Sequence, residues 1–344
     1  MAPQAHGTSP DVSIPGVESF GVDGRWTGRM PASRRQFISL LVGLPLGAAC
    51  GRHHEAPALA DEQHSSPKPS GSAPAPASHG PGDLGGLSPP LAAHIRYLHE
   101  RFEPRGWTVV AEPPFAVVGD GTRLQVRGHA MTTIRWAVTH LQAAYFERPP
   151  AEIITIYLFE TGDSYERHAR ELFGDPPDTP YGYYSPSDRA LVMNIGTGGG
   201  TLVHEIVHPY MASNFPDCPS WFDEGLASLY EQSAEIDGTI MGLTNWRLPG
   251  LQDALRASQV PSFRELCASG RGFYTADPGS NYAQARYLCY WLQQHGLLRR
   301  FYQDFRASVA RDPHGYDTLV ALVGPDMDAF RSGWEQFVLE LRVG

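Results

Sequence analysis

The sequence predicts an α+β fold. Strand-like segments gather before residue 196, helical periodicity dominates after it, and a Pro/Ser/Ala/Gly-rich stretch sets both apart from an N-terminal leader. Of the 344 residues, 42% are hydrophobic and 19% charged, enough apolar material for a sizeable core. The formal net charge is −10, and no run of Lys or Arg follows residue 35. That balance excludes the basic stripe on which nucleic-acid binding depends, so no nucleic-acid partner is expected.

The leader, residues 1–50, reads as an export signal. Ser33-Arg34-Arg35-Gln36-Phe37 precedes an uncharged stretch, 37–49, that is too short to span a bilayer as a helix. The arginine pair resembles a twin-arginine signal. The stretch ends Leu46-Gly47-Ala48-Ala49-Cys50, which resembles a lipoprotein processing box although Gly47 stands where Leu is usual. Lipid on Cys50 would be the only link to a membrane; ordinary cleavage nearby is the alternative. Met30 is a second plausible start, in which case residues 1–29 are untranslated. Residues 51–90 hold too few apolar groups to fold and form a linker. His53, His54, His64 and His79 lie within it as solvated tether residues.

A single folded domain is expected over 91–344. Leu91–Phe102 suits an amphipathic helix stopped by Pro104 and Gly106. Two short strands, Trp107–Ala111 and Phe115–Gly119, flank Pro113-Pro114. A long helix is expected over 123–146, a β-branched strand over Ile153–Phe159, a helix over 163–173, and strands over Tyr181–Ser185 and Ala190–Ile195. Helices follow at about 200–213, 220–232, 281–295, 297–309 and 326–342.

His204-Glu205-Ile206-Val207-His208 carries the chemistry. Positions i and i+4 share a helix face, so two imidazoles can grip one zinc ion, with Glu205 placed to reach solvent at the metal. Leu202, Val203, Ile206, Val207 and Met211 make the flanks apolar, and a buried imidazole or carboxylate needs a partner that a metal supplies. A pair of satisfied core histidines is the alternative for this motif alone. Pro209 should kink the helix or end it early.

The segment Pro219-Ser220-Trp221-Phe222-Asp223-Glu224-Gly225-Leu226-Ala227 follows. Ser220 and Asp223 fit an N-terminal capping box, which puts Glu224 in the first turn. Gly225 allows close helix packing. Two crossing helices then bring His204, His208 and Glu224 to one zinc ion and leave a coordination position open.

Together, H-E-x-x-H and W-x-x-E-G-x-A resemble the gluzincins, the thermolysin-like and aminopeptidase-N-like zinc peptidases. The E-G-L-A match is particularly similar to bacterial peptidase MA-type proteins. The resemblance covers about residues 181–295 and is best over 201–231. It implies a zincin-like domain with a small mixed sheet in an upper lobe and a helical lower lobe. It implies one Zn2+ held by His204, His208 and Glu224, with Glu205 as general base. Family members place a tyrosine or histidine donor on a later helix, and Tyr282 is the candidate, although with Tyr287, Trp291 and Leu292 it also suits an apolar face.

In zincins the strand at Ala190–Ile195 borders the cleft, where an extended peptide or protein substrate could add as a strand. Aminopeptidase-like relatives carry a glutamate near that edge. Val192-Met193-Asn194-Ile195-Gly196 has none, which favours an endopeptidase acting outside the cytoplasm. A zinc-stabilised, non-catalytic binding lipoprotein and a hydrolase of non-peptide amides are the alternatives. Export would permit a Cys267–Cys289 disulfide, leaving Cys218 over as a structural residue.

Overall fold

The structure, a computed structural model, describes residues 86–343. The leader, Cys50, and the linker up to residue 85 lie outside the described residues. Helix α1 (Pro89–Phe102) starts slightly ahead of the expected boundary at 91, with prolines in the first turn, where a missing N–H matters least.

Five strands form one mixed sheet in the order β1-β2-β3-β5-β4: β1 (Thr108–Glu112), β2 (Phe115–Gly119), β3 (Ile154–Phe159), β4 (Gly182–Ser185) and β5 (Ala190–Asn194). β2–β3 and β3–β5 are parallel; β1–β2 and β4–β5 are antiparallel. The parallel pairs need helical crossovers. β2 reaches β3 through α2 (Arg123–His129), a π-helical turn (Ala130–Arg135) and α3 (Trp136–Ala144), so the expected long helix is present with a π segment inside it. After β3 comes α4 (Gly162–Phe173).

The alternation of side chains along the strands divides the interior in two. Ala116, Val118, Tyr157, Phe159, Ala190 and Val192 face a core shared with α1 and α4. Phe115, Val117, Ile156, Leu158, Leu191 and Met193 face a larger core shared with the remaining helices. Central strands buried on both faces read as near-continuous apolar runs, as Ile154–Phe159 does apart from Thr155.

That larger core is built from α5 (Gly200–Asn214), α6 (Ser220–Leu229), α7 (Leu248–Arg256), α8 (Phe263–Cys267), α9 (Pro278–Gln294), α10 (Leu298–Ser308), α11 (Tyr316–Val323) and α12 (Met327–Glu340). The separation of strands from helices at residue 196 is incomplete. A hairpin, β6 (Ser233–Ile236) with β7 (Thr239–Gly242), interrupts the helical half and ends the helix expected over 220–232 at Leu229. α7, α8 and α11 are also additions to the expected helices; each is short, so its periodicity is weak in sequence. No described helix is long and apolar enough to cross a membrane.

Candidate metal centre

α5 is apolar almost all round and passes through the core, which buries His204, Glu205 and His208 along with its aliphatic residues. Pro209 does not end it. The helix continues to Asn214, whose Nδ2 donates to Arg148 O at 2.7 Å and to Tyr210 O at 2.8 Å, tying the last turn to its surroundings. At the other end, a Cβ on Gly200 would lie 2.2 Å from the Glu231 carbonyl oxygen, so only glycine permits this approach.

α6 lies against both α5 and α9. The expected capping box is absent: Pro219 occupies the N-cap, no side chain caps the helix, and Ser220 is already in the first turn. Asp223 turns instead to α5, where His208 Nδ1–H donates to its Oδ1 at 3.1 Å. A buried imidazole is a stronger partner than a partly solvated backbone N–H. Gly225 does what its type suggests, since an added Cβ would come within 3.1 Å of Ala285 O on α9.

The packing brings His204 Nε2 to 3.2 Å and His208 Nε2 to 3.8 Å from Glu224 Oε2. One donor atom from each of the three residues lies within 4.8 Å of the others, and all three side chains are buried. Among the described residues, His204 Nε2, His208 Nε2 and Glu224 Oε2 have no hydrogen-bond partner. Two atoms each about 2.1 Å from one ion lie at most about 4.2 Å apart, a limit that both histidine-to-Glu224 separations meet. Orphaned buried donors and acceptors converging on one point are otherwise costly. This group can therefore hold a metal ion.

Carboxylates lie on the far side of both rings: Asp223 is hydrogen-bonded to His208, and Glu231 is close to His204 Nδ1, which itself forms no hydrogen bond among the described residues. His204 Nδ1 is 3.2 Å from Glu231 Oε1. Arg247 grips Glu231 with two bonds, Nε to Oε2 at 2.9 Å and Nη2 to Oε1 at 2.7 Å. Tyr274 Oη–H donates to Glu224 Oε1 at 3.1 Å. Asp223 is expected from the sequence only as a capping residue, and none of Glu231, Arg247 and Tyr274 is singled out by the motifs. Glu231 stands about two helical turns beyond Glu224, a spacing that could have revealed it. Arg247 and Tyr274 come from a loop and a short 3-10 turn, where no periodicity points to them.

In the metal-free chain, burial opposes charge on His204, but Glu224 and Glu231 prevail and raise its pKa to about 10. Burial likewise opposes charge on His208, and Asp223 with Glu224 raises it to about 9. Glu205 is pushed up to about 7 by burial, against the pull of the two histidines. Both of its oxygens are buried and lack a hydrogen-bond partner among the described residues.

Tyr282 lies in the larger core, 3% exposed, so its apolar-face role is real. Its hydroxyl has no hydrogen-bond partner among the described residues. Burial keeps that hydroxyl protonated, and the nearby Glu224 carboxylate adds to the effect. The Arg247 guanidinium lies 5.2 Å from its ring centre.

Cys267 and Cys289 are separate, buried thiols, so the expected disulfide is not formed; Cys218 is also free. Burial raises all three thiols, which keeps them protonated and inert as ligands. The β5 strand expected to border a cleft is paired on both sides; among the described residues the outermost strand next to it is β4, which also packs on α5. No protein-family model matches the chain, and no curated protein is significantly similar to it.

Proposed function

We propose that the chain is a zinc-dependent peptidase of the gluzincin type, with a zincin-like domain, working outside the cytoplasm after twin-arginine export. One observation carries this reading: His204, His208 and Glu224 converge with unpartnered donor atoms while Glu205, on the same helix, keeps both oxygens unpaired. Nitrogen and carboxylate donors in this number suit zinc with a position left open.

Bound zinc would polarise a substrate carbonyl and lower the pKa of water toward about 7. Glu205 would accept the proton of the attacking water and return it to the leaving amine. Its elevated pKa, about 7, suits both transfers near neutral pH. Asp223 holds the His208 imidazole by a hydrogen bond at Nδ1, and the Glu231 carboxylate lies 3.2 Å from Nδ1 of His204, so both rings keep Nε2 toward Glu224. The Tyr282 hydroxyl is the proposed donor to the charge developing on the carbonyl oxygen.

A peptide substrate would add beside β4, the outermost strand of the sheet among the described residues. Gly182-Tyr183-Tyr184-Ser185 carries no carboxylate to hold a free amine, which supports an endopeptidase over an aminopeptidase. Lipid on Cys50 would tether the enzyme to a membrane through the linker.

Metal analysis of the wild-type chain and of His204→Ala, beside cleavage of a quenched peptide by Glu205→Gln, tests the reading. We expect one zinc per wild-type chain, none in His204→Ala, and zinc retained in Glu205→Gln with turnover down by ~10²–10⁴. A zinc-loaded wild type that cuts no peptide would leave the non-catalytic binding role in its place.

A further inference from the structure

We propose that Tyr274 is a positioning residue of this centre, holding Oε1 of Glu224 so that the carboxylate meets a metal through Oε2 alone. This rests on the metal-centre reading above and adds to it the control of coordination number.

The two oxygens of Glu224 are in different states. Oε1 accepts the Tyr274 hydroxyl at 3.1 Å. Oε2 accepts nothing and faces both imidazoles, at 3.2 and 3.8 Å. A carboxylate can ligate through one oxygen or two, and a second oxygen would take the position a water molecule needs. A hydrogen bond from a neutral hydroxyl to a carboxylate is charge-assisted, strong enough to bias that choice.

Tyr274 is fixed before any metal arrives. It ends the 3-10 turn Gly270–Tyr274. Its ring lies 5.4 Å from Phe273 and 6.5 Å from Tyr282, centre to centre. The turn is clamped to α9 by Asn281, whose Nδ2 donates to Phe273 O at 3.0 Å and to Ala276 O at 2.7 Å. The neighbouring tyrosines thus divide the work. The Tyr274 hydroxyl is committed to the ligand, whereas the Tyr282 hydroxyl is buried and has no hydrogen-bond partner among the described residues.

The test loads the full chain with cobalt(II) in place of zinc and compares wild type, Tyr274→Phe and Tyr282→Phe. We expect Tyr274→Phe to weaken and shift the visible cobalt bands as coordination number rises, and to change zinc affinity by ~10–100-fold. Tyr282→Phe should leave the bands in place. Bands and affinity in Tyr274→Phe equal to wild type would overturn the proposal while leaving the metal centre intact. A wild-type chain that binds neither metal would sink both. Should Tyr274→Phe not fold, X-ray absorption at the zinc edge of wild type decides: one carboxylate oxygen in the shell supports the assignment, and a chelating carboxylate overturns it.

Discussion

His204 has a carboxylate on each side of its ring, Glu224 at Nε2 and Glu231 at Nδ1. Only the first can share a metal with it; the second orients the ring. Glu231→Gln should therefore weaken zinc binding by ~10–100-fold without abolishing it, as competition with a chelating dye would show. The same carboxylates set the pH response. His204 and His208 are raised from 6.5 to about 10 and about 9 in the metal-free chain. A raised histidine stabilises the fold fully below its unfolded value, and that contribution is lost as pH climbs through the folded value. Metal-free protein should accordingly lose stability between pH 7 and 10, from about 6.5 upward as the protons leave. Zinc needs neutral rings, so its uptake should release protons at pH 7 and tighten with rising pH. A pH-stat titration that finds no proton release would contradict this.

Helix contacts place these residues, and two of them are open to direct tests. At Gly200 a methyl group would meet the Glu231 carbonyl oxygen at 2.2 Å, so α5 or the end of α6 must shift. Gly200→Ala should destabilise by about 1–3 kcal/mol in urea unfolding, with zinc affinity falling in parallel. Arg286 on α9 is buried and donates to the Ser228, Leu229 and Leu243 carbonyls. It ties the end of α6 to the loop that follows the β6–β7 hairpin, near Glu231. Arg286→Met removes the side-chain donor from these carbonyls, of which Ser228 O keeps the Glu231 N–H, and should remove about 1–3 kcal/mol; an unchanged urea midpoint would show that water replaces it. The elements around α5 and α6 were legible because their apolar periods are long. The hairpin over 233–242 was not: Asp237-Gly238 marks a turn, but the flanking strands are short and half exposed.

Across the whole domain, the sheet braces one side of α5 and the helical layer the other, so the site lies where the two halves of the chain meet. Zinc bound there should stabilise the domain as a whole. At a thousandfold excess over Kd it adds about 4 kcal/mol, which for a domain of this size raises Tm by about 8–16 °C. Calorimetry with and without chelator measures this, and equal melting temperatures would mean that no ion is held by the fold. The sequence by itself pointed to the three side chains that converge, His204 and His208 through their i, i+4 spacing and Glu224 through the resemblance of its W-x-x-E-G-x-A segment. Tertiary structure alone decided what surrounds them. Asp223 serves His208 instead of its own helix end, and Arg247 and Tyr274 arrive from distant loops. The outermost described strand on the α5 side is β4, not β5. Such partners are chosen by three-dimensional proximity and by the demand of buried charges for neighbours, neither of which leaves a spacing in the chain to read.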